Sequence, residues 1–137
     1  MPKTIIISLP VTDLAASVRF YSALGFVHSP QWSDDTAAHF VWSETISVML
    51  LTQAKWRTFS DRPIAPSTSS EVALGLSLDS RAEVDAMNAA AAANGGVADV
   101  NPVQDHGFMY GRDLMDPDGH IWAPMWMDPA AMAAAGA

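Results

Sequence analysis

The order of one strand, one helix and three further strands is predicted twice in this chain of 137 residues, and this repeat constrains the fold more than any other feature. The first copy begins with the β-branched run at residues 5–11 and contains a helix that ends at Gly25. The second begins with a strand at residues 72–78, followed by an alanine-rich helix that ends at Gly95. Corresponding residues lie about half a chain length apart, as in an internal duplication. The pattern predicts an α+β fold made of two βαβββ modules.

The bounds of the elements follow from caps and periodicity. Helices are predicted near residues 13–24 and 80–94, because Thr12-Asp13 and Asp79-Ser80 offer N-caps. The predicted strands after the two helices lie at residues 26–32, 38–42, 46–51, 97–103, 108–115 and 120–127.

These elements predict one domain over residues 1–137, with modules at 4–52 and 71–128, a connecting loop at 53–70 and a tail at 129–137. The loop has one candidate helical turn and then a Pro/Ser/Thr-rich stretch, and it is either a connector or a flap over a site. The tail is expected to fray or to pack on a partner. Each mixed sheet is expected to curve with its helix on the outer face, so that the two sheets form a cleft lined by alternate strand residues.

Composition excludes several classes of function. The chain has no Cys, which excludes a disulfide scaffold, a thiol nucleophile and a Cys-ligated zinc site. Its 7 Lys and Arg against 15 Asp and Glu give a net charge of −8, which argues against a nucleic-acid partner and is compatible with cationic or neutral small molecules. No segment has the length of a membrane span or the pattern of a signal peptide, so we expect a cytoplasmic protein without a membrane partner.

Several sequence stretches resemble one known family. Residues 9–26, LPVTDLAASVRFYSALGF, are similar to the first module of the vicinal oxygen chelate superfamily, which includes glyoxalase I, extradiol dioxygenases and fosfomycin and bleomycin resistance proteins. Residues 116–120, DPDGH, resemble its last hairpin turn. Residues 47–52, 105–112 and 122–128 resemble a branch described as predicted lactoylglutathione lyase or glyoxalase-like. The resemblance covers residues 4–128 and implies the paired-module fold.

The resemblance also implies positions for a divalent metal, held by one side chain from the first and last strand of each module. Alignment by the shared motifs places Ile6, Leu50, Ala73 and Ala123 there. None can donate a lone pair, and an apolar cage does not compensate for dehydrating a dication. We therefore predict no metal at this site and no other cofactor. Glyoxalase I chemistry by its usual mechanism is not expected, because that mechanism needs the metal and an adjacent carboxylate.

Three polar residues remain candidates for function. His106, in the stretch Asp105-His106-Gly107, is either a loop residue that bonds the backbone or an acid, base or ligand donor at the cleft rim. Tyr110 and Arg112 lie two apart on a predicted strand and so share a face. If that face lines the cleft, they suit a carboxylate or another oxyanion. If it faces solvent, Arg112 is expected to pair with Asp113 or with Asp105 of a neighbouring strand.

Alternation along the strands predicts the floor of the cleft. Its residues are small or apolar, and the candidate ligand contacts among them are Ser8, Leu50, Ala73, Ala123 and Met125. Trp122 and Trp126 then face the helical side. Trp42 is predicted as a pocket wall, and Trp56, in the connecting loop, as part of a possible lid.

Three functions stay open at this point. The first is a metal-independent protein that binds a small organic molecule in an apolar cleft with few polar groups. The alternative is a glyoxalase-like lyase or isomerase that uses His106, Tyr110 or Arg112 without the usual metal ligands, and the third is an interaction module without a ligand. A homodimer is expected in any case, because residues 125–127 and the tail form an apolar surface that two-fold pairing would bury.

Overall fold

A computed structural model of the protein describes residues 2–136. The polypeptide divides into two units, Met1–Ser69 and Ser70–Ala137. Each unit has a mixed sheet with both parallel and antiparallel strand pairs, together with two α-helices within the described residues. The predicted α+β class is confirmed.

The first unit contains a four-stranded sheet in the order β1-β4-β3-β2. Strand β1 pairs parallel with β4, and the other two pairs are antiparallel. In chain order the elements are β1 (Ile5–Val11), α1 (Leu14–Ala23), β2 (Val27–His28), a 3-10 helix (Pro30–Trp32), β3 (Ala37–Ser43), β4 (Ile46–Thr52) and α2 (Gln53–Trp56). The strand predicted at residues 26–32 is therefore shorter, because Pro30 cannot donate a hydrogen bond to a neighbouring strand.

Helix α1 covers one face of this sheet. The Asp13 carboxylate caps its first turn by accepting a hydrogen bond from the Ala16 amide at 3.1 Å. Gly25 follows the helix with φ of 103°, a conformation that side chains with a Cβ rarely adopt. The side chains of Phe20 and Tyr21 are fully buried, and Tyr21 contacts Phe40 of the sheet with ring centroids 6.0 Å apart. This helical face of the sheet is the core of the unit.

The pairing of β1 with β4 assigns residues to the two faces of the sheet. Leu9 lies opposite Leu50, and both are buried on the helical face. Ser8 lies opposite Met49, on the other face, which we call the open face. The predicted position of Leu50 on the cleft floor is therefore wrong by one residue. Because side chains alternate along a strand, such a shift moves every side chain of β4 to the opposite face.

The second unit contains a sheet in the order β5-β9-β7-β6, with β8 also paired to β9. Strand β5 is parallel to β9. The elements are β5 (Ala73–Leu78), α3 (Arg81–Ala93), β6 (Gln104–Asp105), β7 (Met109–Gly111), β8 (Leu114–Met115), β9 (Ile121–Met127) and α4 (Pro129–Gly136).

Two predicted strands of the second unit differ from the structure. Residues 97–103 do not form one, since only Val97 makes a bridge, to Met115, and Asp99 has φ of 53°, outside the extended region. The strand predicted at 108–115 is divided into β7 and β8. The tail, expected to fray or to pack on a partner, is helical from Pro129 with Asp128 as its cap, and residue 137 lies outside the described residues.

We expect the two faces of β4 to differ sharply in stability measurements. Leu50→Ala removes a side chain with no exposure and should lower the free energy of unfolding by about 2–5 kcal/mol. Met49→Ala, on the open face, should lower it clearly less, because its side chain is only partly buried. Urea unfolding followed by circular dichroism measures both. Equal losses, or a larger loss for Met49→Ala, would contradict the assignment of faces.

Candidate ligand-binding site

A cavity of about 490 Å³ lies on the open face of the first sheet. Its floor consists of side chains from β1, β3 and β4, and its wall comes from α2 and the turn that follows it. The lining residues are Ile6, Ser8, Ala37, Met49, Leu51, Lys55, Trp56, Phe59 and Ser60. All of them belong to the first unit, so this unit by itself forms a concave and largely apolar site.

Local hydrogen bonds hold the wall in place at the end of β4. The Thr52 hydroxyl accepts a hydrogen bond from the Lys55 amide at 3.2 Å and so caps α2. The Thr58 hydroxyl donates to the Lys55 carbonyl at 2.7 Å. The Ser60 amide donates to the Trp56 carbonyl at 3.2 Å and continues the helical path. The segment at residues 53–60, which the sequence left as either connector or flap, therefore contributes the cavity wall.

The polar groups of this cavity are few. They are the hydroxyls of Ser8 and Ser60, the indole N–H of Trp56 and the ammonium group of Lys55, and none of the lining residues has a carboxylate. The Lys55 Nζ atom lies 5.5 Å from the centroid of the Phe59 ring, within the range of a cation–π interaction. A site of this composition favours an apolar molecule with few polar groups.

The structure places the predicted tryptophan contacts differently. Trp42 is on the helical face, where its ring centroid lies 4.8 Å from that of Phe26 in the core. The prediction of Trp42 as a pocket wall is therefore wrong, because Trp42 lies two residues after Phe40 on β3 and so faces the same, helical side of the sheet. Trp56 is the tryptophan that lines the cavity.

The sequence did not identify six of the cavity residues, which are Ala37, Met49, Leu51, Lys55, Phe59 and Ser60. The pairing register of β4 with β1 would have identified Met49 and Leu51 as residues that face the cavity. The helical turn predicted at residues 55–59 was the available signal for Phe59, since residues four apart lie on the same side of a helix.

Three predicted site residues of the second unit, Ala73, Ala123 and Met125, lie on the exposed face of its sheet. Ala73 lies opposite Ile121, and Gly75 lies opposite Ala123, all on the face away from the buried Trp122. A smaller cavity of about 260 Å³ includes Met125 and is lined by Ser77, Leu78, Asp79, Met125, Trp126, Met127, Pro129 and Met132.

The donor chemistry does not fit the divalent metal that the resemblance implies. At the corresponding positions in the first unit, the open face presents Ile6, Met49 and Leu51, whose most polar atom is a thioether sulfur. In the second unit Ala73 and Ala123 have no donor atom in their side chains. Between residues 2 and 136, no three His, Asp or Glu side chains form a group that could hold a metal ion.

Tyr110 and Arg112 belong to a charged network on the α3 side of the second sheet. The Tyr110 hydroxyl donates to Asp85 of α3, and the Arg112 guanidinium contacts Asp85 at 2.9 Å and Asp99 at 2.6 Å. The hydrogen bond from Tyr110, followed by that from Arg112, lowers the pKa of Asp85. The bond to Asp85 in turn raises the pKa of Tyr110. Both donors are thus occupied by carboxylates of their own unit, and the partners of Arg112 are not the predicted Asp113 or Asp105.

His106 is in an exposed loop beside a second ion pair. Its backbone amide donates to the Met109 carbonyl at 2.9 Å. The neighbouring Asp105 forms two hydrogen bonds of 2.9 Å with Arg81. Arg81 in addition lies over the ring of Tyr110, at 4.8 Å from its centroid. These contacts form a network at the protein surface and do not make a pocket around the His106 imidazole.

The family model of the Glyoxalase/Bleomycin resistance protein/Dioxygenase superfamily matches residues 5–123. No curated protein matches the sequence.

Solved structures show the same fold. A hypothetical protein from S. aureus is 26% identical with a TM-score of 0.76, and the match covers 92% of this chain and 95% of that one. A fosfomycin resistance protein from Mesorhizobium loti is 12% identical with a TM-score of 0.67, covering 97% and 98% of the two chains. An antibiotic binding protein from Streptomyces sp. CB03234 is 20% identical with a TM-score of 0.64, covering 93% and 97%.

A bilayer-spanning helix needs about 20 mostly apolar residues, and none of the helices in the described part of the chain meets that requirement.

We expect the Arg81–Asp105 pair to contribute to the pH dependence of stability. Arg81 and the Gly107 amide lower the pKa of Asp105 to about 2 in the folded chain, against about 3.9 for an unfolded aspartate. Because the unfolded chain binds this proton more readily, the stabilisation is complete above about pH 4 and is lost as the pH falls towards about 2. Asp105→Asn should therefore destabilise the protein at neutral pH and differ less from wild type at low pH.

Urea unfolding at a series of pH values measures this difference, with the exposed Asp35→Asn as the matched control. A difference between wild type and Asp105→Asn that stays constant across the acid range would contradict the assignment.

Proposed function

This chain belongs to the Glyoxalase/Bleomycin resistance protein/Dioxygenase superfamily, and we propose that it binds a small, largely apolar organic molecule in the cavity of its first unit without a metal ion. The observation that carries this proposal is the cavity itself. A volume of about 490 Å³ is in the range of small-molecule sites, which are typically concave and apolar with a few placed polar groups. The antibiotic binding protein from Streptomyces sp. CB03234 supports the proposal, since it has a similar fold.

Metal independence is supported by the donor set. An aliphatic or thioether side chain does not replace the oxygen and nitrogen ligands that a hard or borderline dication needs. On the open face of the first unit, Ile6 and Leu51 have aliphatic side chains and Met49 has a thioether. Ala73 and Ala123 of the second unit have no donor atom in their side chains.

The alternative, a glyoxalase-like lyase or isomerase, receives less support from the geometry. Tyr110 and Arg112 are bound to Asp85 and Asp99 on the α3 side of their sheet. His106 is exposed, and none of the three residues lines the cavity of the first unit. The structure offers no reacting pair among these residues, so binding is the function that it supports better.

The cytoplasmic location expected from the sequence stays a prediction.

We also propose that the protein is a homodimer in which the end of β9 and α4 lie at the interface. Helix α4 is made of Pro, Ala, Met and Gly, and the Met132 side chain is 53% exposed. An exposed apolar surface of this kind favours self-association, and two-fold pairing is the commonest way to bury it.

The first experiment on binding uses N-phenyl-1-naphthylamine, a neutral dye whose fluorescence rises in apolar surroundings. Wild-type protein should bind one dye molecule per chain. Ala37→Trp should abolish this binding, because the larger side chain fills the cavity floor, whereas Ala82→Trp on the exposed surface of α3 should not. Binding that both variants leave unchanged would contradict the cavity as the site.

Metal independence is tested in the same titration. The dye affinity should be equal before and after dialysis against a chelator, and elemental analysis of the untreated protein should show no stoichiometric divalent metal. Loss of binding on chelation, restored by Zn²⁺, Ni²⁺ or Mn²⁺, would overturn this part of the proposal.

Light scattering tests the dimer. Wild type should have about twice the chain mass of 14.6 kDa at tens of micromolar protein, and Met132→Glu should shift it towards the monomer, because a charge on α4 opposes burial. Ala92→Glu, on the exposed surface of α3, is the control. A monomeric wild type would end this proposal.

A further inference from the structure

We propose that the ligand of the first-unit cavity carries an anionic group beside its apolar body, and that Lys55 is the residue that binds this group. The inference rests on the proposed function, and it adds the chemical class of the ligand. Among the residues that line the cavity, Lys55 is the one with a formal charge.

The position of Lys55 is set by the local structure of the wall. Its backbone amide and carbonyl are both engaged, the first by the Thr52 hydroxyl and the second by the Thr58 hydroxyl. The lysine side chain is partly buried and lies against the ring of Phe59, itself 72% exposed. The ammonium group is thus held at the rim of an apolar cavity.

In the described part of the chain, Lys55 takes part in none of the ion pairs. The ion pairs found within residues 2–136 involve Arg81 and Arg112, both in the second unit. Hydrogen bonds from Thr36 are the largest cause of the lowered pKa of Asp34, and the charge of Lys55 acts in the same direction as the last of its causes. The Asp34 carboxylate accepts bonds from the Thr36 hydroxyl at 2.7 Å, the Thr36 amide at 2.8 Å and the Ala37 amide at 3.0 Å.

An ammonium group has three N–H donors and no acceptor, so its natural complement is a carboxylate, a sulfonate or a similar anion. The hydroxyls of Ser8 and Ser60 and the indole N–H of Trp56 are the other polar side-chain groups of the lining, and each can donate to further oxygens. The apolar floor suits the hydrocarbon or aromatic part of the same molecule. The local charge of the site is therefore opposite to the net charge of −8. At physiological ionic strength, charges beyond about 8 Å are largely screened, so the nearby lysine decides the preference.

The test compares two dyes with the same ring system. N-phenyl-1-naphthylamine is neutral, and 8-anilino-1-naphthalenesulfonate adds one sulfonate. Lys55→Met keeps most of the aliphatic stem and should weaken the anionic dye about tenfold while leaving the neutral dye within about twofold. Lys55→Arg should retain most of the anionic affinity. Ala37→Trp should abolish the binding of both dyes.

Arg57→Met is the matched control, because it removes the same charge from an exposed neighbour that does not line the cavity. It should leave both affinities within about twofold. If Lys55→Met and Arg57→Met weaken the binding of the anionic dye equally, the cause is the overall charge of the protein and not a contact with Lys55. That result would overturn the inference. Equal weakening of both dyes by Lys55→Met would make the lysine part of the apolar wall, which also overturns it.

The two proposals fail in different ways. If wild type binds the neutral dye but not the anionic one, the ligand class is wrong and the small-molecule site remains. If wild type binds neither dye, the proposed function and the inference that rests on it are both wrong.

Discussion

The parallel pairing of β1 with β4 is the constraint on which the first unit depends. It places Leu9 beside Leu50 under α1 and Ser8 beside Met49 on the open face. One strand thereby supplies both the core and the cavity floor, because consecutive side chains of β4 point to opposite sides. Substitutions that change the register of β4 would exchange core and cavity side chains together, so stability and binding are linked through this strand.

The cavity also depends on a short segment that lies outside the βαβββ pattern predicted from the sequence. Helix α2 and the turn to Ser60 follow β4 directly and raise Lys55, Trp56 and Phe59 above the sheet. Side-chain to backbone hydrogen bonds from Thr52 and Thr58 to Lys55 hold the segment locally, and α2 also packs against β1 and β4. These contacts position a single cation against an apolar floor.

The second unit uses its polar residues for another purpose. Arg112 joins Asp85 of α3 to Asp99 of the following loop, and Arg81 joins α3 to Asp105. These contacts lie at the surface, where an ion pair contributes modestly to stability, but together they tie the short strands β6 and β7 to the helix. Tyr110 and Arg112 therefore have structural partners, although their residue types alone are compatible with anion binding.

Much of the fold could be predicted from the residues. Both main helices, their caps at Asp13 and Ser80 and the seven-residue strands β1 and β4 follow from short-range periodicity and capping chemistry. The least regular stretch was predicted incorrectly, since no strand spans residues 97–103 and Asp99 adopts positive φ there. Short strands with few apolar residues have no strong period, so neighbouring elements decide their form.

The candidate site shows the division between sequence and tertiary structure. By itself the sequence determined which residue types were present, and hence that Ile6, Ala73 and Ala123 offer no metal donor whatever the register. It also determined that a lone turn around Lys55 followed β4.

Only the tertiary structure decided that Met49 and not Leu50 faces the cavity, that Trp42 packs in the core, and that Arg112 reaches Asp85 and Asp99. The physical reason is that side-chain direction in a sheet depends on register with a neighbouring strand, a long-range pairing that composition and local spacing do not contain.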